Sequence, residues 1–403
     1  MFNSHFLVLA VAFGTAWFFL PVAGSVLPKG QIGESRQDTG NKWMDTWTSM
    51  PQLVEPGNLP PLPFTPQSVV FNEATLHQTL HVSIGADRIR LQISNTFGGS
   101  DLPITEGAIA LPTVIEASPI ASLTCNGATS VTIPKGEVAY SDPIDFSVAA
   151  ESMLTLTLYP AAGQPRNSIT GHPGSRTMSW MQEGNQVNAT SITGSSVARW
   201  YFVSGVEAWV PAASSSFIIL GDSITDGRGR VDNQAAGGNR VLQGLGPSLI
   251  SRYKRDAIEK ECVKYIMIFE GVNDIRTAGT NQNTRTRLGD KLISAFTQIA
   301  NGARAAGILI FATITPFSGP GQSYSDPTRE VTRQRVNGWF TSSGLFDAVV
   351  DFDAVVRDPA TPSQLAPEYN GGDYLHPNVA GYQVIADAFP LDIFTAAASK
   401  RAV

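Results

Sequence analysis

Cysteine and histidine are both scarce in this sequence, and each scarcity narrows what the protein can be. The only cysteines are Cys125 and Cys262, so there is no disulfide framework, and two buried thiols are favoured over one bridge. Five histidines among 403 residues leave few imidazoles for acid–base chemistry. The sequence also lacks the H-E-x-x-H pattern of zinc proteases and the phosphate-binding loop G-x-x-x-x-G-K-[ST].

Charged side chains are also few. They make up 15 % of the chain, the formal net charge is −6, and Lys and Arg form no cluster. Binding to nucleic acid or to an acidic membrane surface needs such a cluster, so we expect neither as a partner. Beyond the N-terminus no apolar stretch is long enough to cross a bilayer.

The N-terminus carries the pattern of a targeting segment. It is apolar over Phe6–Leu20 and then reaches small residues at 23–25. This pattern predicts a secretory signal peptide over residues 1–24, although no basic residue precedes the apolar run. A membrane anchor is the alternative, but the run is short for a span, so we expect no stable membrane insertion. The glycosylation sequon Asn188-Ala189-Thr190 agrees with a secreted, extracellular protein.

Residues 40–210 carry the pattern of an all-β domain. Thr75–Ile84, Arg88–Asn95 and Met153–Tyr159 alternate apolar and polar side chains with a period of two. Clusters of turn residues, such as those at 97–100, separate these segments. Strands at this spacing, without helical periods between them, predict a β-sandwich of jelly-roll type.

Residues 215–397 alternate strands with helices instead. Phe217–Leu220 and Val263–Phe269 are continuous apolar runs, which is typical of strands covered on both faces. Between later strands, a stripe of apolar residues from Leu288 to Ala303 has the helical period. This order predicts a doubly wound, three-layer α/β/α domain with a parallel sheet, joined to the β half by the polar segment Pro211–Ser216.

A serine follows the first strand of this second domain, in Gly221-Asp222-Ser223. Because α/β enzymes place their chemistry at the carboxyl ends of parallel strands, Ser223 is a candidate nucleophile. Its hydroxyl needs a base to remove its proton, and His376 is the only histidine in this half. A purely structural hydrogen bond is the alternative role for that histidine.

An acid lies three residues before this histidine, at Asp373, and Pro377 follows. Pro377 prevents a helix from continuing through this point, and in a tight loop the Asp373 carboxylate can reach the imidazole Nδ1–H of His376. It would then orient the ring and stabilise the imidazolium, as the acid of a catalytic triad does. Alternatively, Asp373 caps the helix that begins near Asn378.

Acyl transfer also needs hydrogen-bond donors for the negative oxygen of the tetrahedral intermediate. Asn273 at the end of its strand, in the segment GVND, offers a side-chain amide, and the backbone N–H of Ser223 offers a second donor. A third donor can come from Gly237 or Gly238 in the segment AAGGNR. Asn273 and the two glycines could instead simply form turns.

In this order, the segments GDSITDG, AAGGNR, GVND and DYLHPN resemble the four motif blocks of the SGNH (GDSL) hydrolase superfamily. The resemblance implies that Ser223 is the nucleophile and that Asp373 and His376 complete a triad. It also implies an oxyanion hole formed by Ser223, Gly238 and Asn273, with no metal or organic cofactor.

The β half adds to the resemblance. WMDTWTSMPQ (Trp43–Gln52) and RLQISNTFG (Arg90–Gly98) are similar to segments of a secreted subfamily in which a jelly-roll-like domain precedes the hydrolase. That subfamily is similar to acylhydrolases and arylesterases associated with plant cell-wall breakdown. The resemblance therefore implies that nearly the whole mature chain follows this two-domain plan.

The sequence departs from the superfamily between the serine and glycine blocks. Ser223 and Gly238 are 15 positions apart, whereas a βαβ crossover takes about 30 residues or more. We therefore expect one helix and one strand to be missing here, which would expose apolar neighbours and disturb Gly238. A closing loop, a shortened transcript or a mis-joined gene model would each explain the gap, and the last is favoured.

Together these patterns predict a secreted serine hydrolase that cleaves carboxylic esters through an acyl-enzyme. Its substrate would be a small-molecule or polysaccharide ester, which includes acetylated polysaccharides, aryl esters and lipids. One alternative is a catalytically impaired carbohydrate-binding protein whose sugar platforms are tryptophans of the β half: Trp43, Trp47, Trp180 and Trp200. A second alternative is a metal-dependent phosphoesterase built on Asp351 and Asp353, for which no histidine lies nearby.

Overall fold

The computed structural model of the protein describes residues 40–66, 68–112, 120–175, 177–191, 193–226 and 233–394, without the side chain of Ile308. The predicted signal peptide, residues 1–24, lies outside the described residues. Within the described ranges, no helix is both long enough and apolar enough to cross a bilayer.

The first half of the described chain is built from strands, with one 3₁₀ turn at Pro56–Asn58. In chain order these strands are β1 (Asn41–Thr48), β2 (Gln52–Leu53), β3 (Val69–Val70), β4 (Ala74–His81), β5 (Ala86–Ser94), β6 (Leu102–Ile104), β7 (Glu106–Ala110), β8 (Ile120–Ser122), β9 (Val131–Ile133), β10 (Val138–Tyr140), β11 (Ile144–Val148), β12 (Met153–Tyr159), β13 (Gln164–Pro165), β14 (Thr170–His172), β15 (Ser179–Glu183), β16 (Ser195–Val197), β17 (Trp200–Tyr201) and β18 (Val203–Pro211).

Two antiparallel sheets dominate this half. One has the order β1-β18-β5-β10, with β11 also paired to β5, and the other has the order β16-β15-β4-β12-β7-β8. Side chains from both sheets, such as Leu91 of β5 and Leu156 of β12, are fully buried in the same core. Two sheets that share one core form a sandwich, because each must bury its apolar face against the other. The predicted all-β fold is confirmed, and its jelly-roll topology stays a prediction.

The second half alternates strands with helices. Its strands are β19 (Ser216–Gly221), β20 (Asn233–Ala235), β21 (Val263–Phe269), β22 (Ile308–Ala312) and β23 (Ala348–Val350). Its helices are α1 (Leu249–Tyr253), which a π-helical turn at Lys254–Ile258 continues, α2 (Val272–Thr277), α3 (Gln282–Ala303), α4 (Pro327–Ser342), α5 (Phe352–Val356) and α6 (Val379–Asp387).

The strands of this half form one parallel sheet in the order β20-β19-β21-β22-β23. The first strand, β19, therefore lies between the second and the third. At such a point the connections that follow the two neighbouring strands run to opposite sides of the sheet. This opens a crevice outside the carboxyl ends of β19 and β21. Doubly wound α/β proteins bind their ligands in this crevice.

Aromatic side chains show that helices cover both faces of the sheet. Phe217 and Tyr265 are register partners on one face, and both rings contact Phe394, which follows α6. Phe311 lies on the opposite face, where its ring contacts Phe296 of α3 and Phe340 of α4. The predicted three-layer α/β/α arrangement is confirmed.

The predicted loss of a strand between the serine and glycine blocks is wrong. The short strand β20 occupies this place, with Ile219 opposite Asn233 and Gly221 opposite Ala235 in parallel register. The length estimate failed because it assumed a full helix and a full strand, whereas β20 pairs with β19 over only three residues. The predicted loss of the helix falls largely on 227–232, which lie outside the described residues.

The two halves contact each other directly. Lys260 Nζ lies 3.3 Å from Asp45 Oδ1 of β1, and the Cys262 thiol donates to the Trp43 carbonyl at 3.0 Å. Both cysteines are free, as predicted, although Cys125 and Cys262 are half-buried rather than fully buried. The β half therefore contacts the α/β half through polar groups of β1.

Candidate active site

The serine and asparagine blocks meet at the crevice between β19 and β21. Ser223 is two residues past the end of β19, and Asn273 lies in the first turn of α2, directly after β21. The hydroxyl of Thr225 donates to the Phe269 carbonyl at 3.0 Å and so joins the two strand ends. Their closeness follows from the parallel pairing of β19 with β21, since paired parallel strands end at the same sheet edge.

Ser223, His376 and Asp373 form a continuous chain of hydrogen bonds. Ser223 Oγ lies 2.9 Å from His376 Nε2, and His376 Nδ1 lies 2.6 Å from Asp373 Oδ2. Because an ionised carboxylate can only accept, Nδ1 is the donor in the second contact. In the neutral ring this leaves the lone pair of Nε2 facing the serine hydroxyl, which is the tautomer that a general base needs.

The Asp373 carboxylate is held by its own loop. Its Oδ1 accepts from the backbone N–H groups of Leu375 at 3.0 Å and His376 at 2.8 Å. Burial by itself would raise the pKa of Asp373, but these bonds and the one from the imidazole lower it overall. The alternative role as a helix cap is wrong, because Asn378 caps α6 by accepting from Gly381 N–H at 2.9 Å.

The two glycines of AAGGNR differ in how their N–H groups are used. Gly237 N–H donates to Asp226 Oδ2 at 3.0 Å. Gly238 has a φ of +74°, a left-handed conformation that glycine adopts without strain. Since Gly237 already has an acceptor, the geometry favours Gly238 as the donor to an oxyanion. The glycine block also reaches the serine strand, because Ala236 N–H donates to the Gly221 carbonyl at 3.1 Å.

The side-chain amide of Asn273 is oriented by contacts at both of its ends. Its Nδ2 donates to the Asn239 carbonyl at 3.0 Å, and its Oδ1 accepts from the Tyr324 hydroxyl at 2.6 Å. Because a hydroxyl donates to the oxygen end, these two bonds determine which end of the amide is the donor. One N–H of Nδ2 donates to the Asn239 carbonyl, so the second N–H is the candidate donor to an oxyanion.

Comparison with protein families agrees with this geometry. Residues 219–384 match the model of the GDSL-like lipase/acylhydrolase family, and this range contains each of the four motif blocks. Residues 219–384 form a GDSL-like lipase/acylhydrolase domain. The domain is that of a carboxylic ester hydrolase.

Solved structures of a GDSL-like lipase and of an acetylxylan esterase are similar to less than half of this chain. The GDSL-like lipase of Bacteroides thetaiotaomicron is 18% identical, with 45% of this chain and 88% of that chain covered and a TM-score of 0.35. An acetylxylan esterase of Geobacillus stearothermophilus is 20% identical, with 45% and 94% covered and a TM-score of 0.34. At such low identities and TM-scores, neither activity transfers to this chain. No curated protein matches the sequence.

A buried arginine ties the strand ends of the GDSL domain together. Arg252 of α1 donates to the Gly221 carbonyl at 3.1 Å, to the Gln234 carbonyl, and to Asn239 Oδ1 at 3.0 Å and 3.1 Å. Its side chain is fully buried and also lies 3.4 Å from Glu270 Oε2. One guanidinium thus connects β19, β20, the residue after β21 and the glycine block. No pattern in the sequence marked this arginine.

Three buried carboxyl groups lie under the site of the GDSL domain. Burial raises the pKa of Asp222 to about 7, although backbone N–H groups such as that of Ile224 oppose the shift. Burial also raises the pKa of Asp274 to about 6 and that of Glu270 well above its usual value, the latter despite Arg252. These shifts mean that each of the three groups is ionised to a smaller extent, at a given pH, than the same group exposed to water.

Asp274 also shapes the glycine block of the GDSL domain. Its carboxylate accepts from the backbone N–H groups of Val241 at 2.8 Å and Leu242 at 3.0 Å. Its neighbour Asn273 contacts Asn239, so the segment GVND contacts the chain after Gly238 at two places. The sequence placed Asp274 in a motif but gave no sign of this supporting contact.

The contacts of Asp351 and Asp353 do not support the alternative of a metal-dependent phosphoesterase. Asp351 caps α5 by accepting from Ala354 N–H, and it also accepts from the Thr313 hydroxyl. Asp353 is buried against Arg333, with 2.6 Å between Nη1 and Oδ1. Across the described segments, no group of three or more His, Cys, Asp or Glu side chains is arranged to hold a metal ion.

Replacing Tyr324 with Phe tests the orientation of Asn273 in the GDSL domain. The ring can keep its place beside Phe317 and Arg276, while the Asn273 carbonyl loses its donor. We expect kcat for ester hydrolysis to fall about tenfold with little change in KM, since a complete oxyanion donor is worth about 10²–10³ in rate. Tyr159→Phe, in β12, is the control and should behave as wild type. An unchanged kcat for Tyr324→Phe would show that Asn273 needs no such support.

The raised pKa of Asp222 predicts a dependence of stability on pH. A carboxyl group whose pKa is higher in the folded than in the unfolded chain stabilises the fold at acidic pH, and this contribution is lost as the pH rises through the folded pKa. The folded pKa of Asp222 is about 7. The free energy of unfolding of wild type, minus that of Asp222→Asn, should therefore fall between about pH 4 and about pH 7. Urea unfolding at several pH values measures this difference, and a constant difference would contradict the prediction.

Proposed function

We propose that this protein is a secreted carboxylic ester hydrolase that works through an acyl-enzyme formed on Ser223. The observation that carries the proposal is the hydrogen-bonded chain from Ser223 Oγ through the His376 ring to Asp373, with contacts of 2.9 Å and 2.6 Å. Both distances lie within the range over which a nucleophile, its base and the orienting acid work together. The chain stands at the sheet edge where doubly wound proteins bind their ligands.

In the first half of the reaction, Ser223 Oγ attacks the acyl carbon of the ester while its proton passes to His376 Nε2. The carbonyl oxygen becomes negative, and the N–H groups of Ser223, Gly238 and Asn273 donate to it. The bond from the acyl carbon to the alcohol oxygen then breaks, and the proton on Nε2 passes to that oxygen. The alcohol leaves, and the acyl group remains on Ser223 as an ester.

In the second half, a water molecule takes the place of the alcohol. His376 Nε2 accepts a proton from the water as its oxygen attacks the acyl carbon, and the same donors hold the second oxyanion. The bond to Ser223 Oγ breaks, the proton on Nε2 returns to that oxygen, and the carboxylic acid leaves. In both halves Asp373 stabilises the imidazolium that forms, since its carboxylate accepts from Nδ1.

We propose a small acyl group such as acetyl for the substrate. The sequence contains no long apolar segment within the GDSL domain that could form a lid over a lipid chain. Ser223 is only half-buried, and about a third of the His376 side chain is exposed. A polysaccharide ester could therefore approach the site as well as a small-molecule ester.

The carbohydrate-binding alternative has little support in the β half. It needs exposed aromatic rings, but Trp43, Trp47 and Trp200 are buried, and Trp47 packs edge-on against Trp200 at 4.7 Å. Trp180 of β15 is half-buried. Three of these four rings pack inside the β half, so only Trp180 has part of its surface exposed to a sugar.

Replacing Ser223 with Ala tests the proposed reaction. The variant keeps the fold but lacks the attacking oxygen, so kcat for p-nitrophenyl acetate should fall by at least about 10³-fold. Ser251→Ala, in α1, removes an exposed hydroxyl from the same domain and should keep the wild-type rate. If Ser223→Ala hydrolyses the ester as fast as wild type, the assignment of the nucleophile is wrong.

Secretion is proposed from the apolar N-terminal segment and the exposed sequon at Asn188. The full chain made in a eukaryotic host should appear in the medium with an N-terminus near Ser25, because the signal peptide is removed. Endoglycosidase should lower its mass, and Asn188→Gln should show no such change. Retention in the cell with an intact N-terminus would contradict the proposal.

A further inference from the structure

A histidine from the β half lies against the serine block of the other half. His172 ends β14, and its Nε2 is 3.3 Å from Oδ1 of Asp226, three residues after Ser223. The side chain of His172 is 2 % exposed and that of Asp226 is 7 % exposed. This pair is therefore removed from solvent, and a buried charged pair is costly to break by removing one partner.

The partners of His172 define its protonation state. Its Nδ1 lies 3.0 Å from the Met50 carbonyl, and its Nε2 faces the Asp226 carboxylate. Both partners are acceptors, so both contacts are hydrogen bonds only when each ring nitrogen carries a proton. Burial and Arg252 lower the pKa of His172, but the charge and hydrogen bond of Asp226 and the Met50 carbonyl raise it on balance. The imidazole ring also lies beside Trp200, with 5.7 Å between ring centroids.

The other oxygen of the same carboxylate holds the glycine block. Asp226 Oδ2 accepts from Gly237 N–H at 3.0 Å. Gly237 directly precedes Gly238, whose N–H is the proposed oxyanion donor. The peptide plane before Gly238 is therefore one residue away from a carboxylate that His172 holds in place.

A second residue of the β half, Gly174, packs closely against the Asp226 carboxylate. Gly174 lies so near that a Cβ built on it would be 2.2 Å from Asp226 Oδ2 and 3.4 Å from His172 Nε2. No side chain fits there without moving Asp226. The segment from His172 to Gly174 thus determines the position of Asp226 by a hydrogen bond and by close packing.

We propose that His172 is a positioning residue for the oxyanion hole, which it reaches through Asp226 and Gly237, so that the β half completes the active site. This inference rests on the proposed function. His172 touches neither substrate nor reacting atoms in this role. Its protonated ring fixes the Asp226 carboxylate, the carboxylate fixes the Gly237 peptide, and the Gly238 N–H keeps its direction.

The test compares variants of the full chain with p-nitrophenyl acetate as substrate. Each rate is expressed per active serine, titrated with a fluorophosphonate. We expect His172→Gln, Asp226→Asn and Gly174→Ala each to lower kcat by about 10- to 100-fold with KM nearly unchanged, since a displacement of about 1 Å can cost about 10²-fold. The double variant His172→Gln with Asp226→Asn should lose no more than the larger single loss, because both changes remove the same contact.

Matched controls separate positioning from general damage to the β half. Gly57→Ala adds a methyl group where nothing lies within 4 Å, and His81→Gln replaces another histidine of the β half. Both should keep the wild-type kcat. If His172→Gln folds poorly, Gly174→Ala and Asp226→Asn carry the same expectation, and titration counts only the folded enzyme.

The experiment distinguishes failure of the positioning role from failure of the proposed function. A wild-type kcat per titrated serine in His172→Gln and Gly174→Ala, or losses that multiply in the double variant, would overturn the positioning role and leave the proposed function intact. A wild-type rate in Ser223→Ala would instead overturn the proposed function itself.

Discussion

The guanidinium of Arg252 holds together the sheet edge from which the candidate site is built. It donates to backbone carbonyls of β19 and β20 and to Asn239 in the glycine block, and it pairs with Glu270 after β21. A fully buried cation is stable only when acceptors surround it, and here these acceptors include carbonyls of β19 and β20 as well as the Asp256 carboxylate at 3.2 Å. Arg252 thus links the segments that carry Ser223, Gly238 and Asn273 through one side chain.

Buried carboxyl groups follow the ends of β19 and β21 at this sheet edge. Asp222, Glu270 and Asp274 are buried together, and burial raises the pKa of each. At a given pH these buried acids are ionised to a smaller extent than exposed ones, so they place less negative charge near the crevice. Asp373, by contrast, lies in a more exposed loop, and hydrogen bonds lower its pKa, so it stays ionised beside His376.

The alternation of strands and helices in the α/β half, and the places of its longest elements, could be predicted from sequence. The run Val263–Phe269 is a strand over the predicted residues, and the apolar stripe from Leu288 to Ala303 lies within α3. Such elements repeat one type of side chain at a fixed period, so local sequence is enough. The short strand β20 was missed because three residues show no period, and its pairing with β19 depends on the fold around it.

The amino-acid sequence by itself marked the chemical groups of the candidate site, since Ser223 and Asn273 follow apolar strands and Asp373 lies three residues before His376 in a loop that Pro377 keeps from being helical. Only the tertiary structure decided which neighbours hold them. The contact of His172 with Asp226 joins residues 54 positions apart, and that of Tyr324 with Asn273 joins residues 51 apart. Such pairs leave no local period or spacing in the sequence, because they arise when separate elements pack and bury their polar groups together.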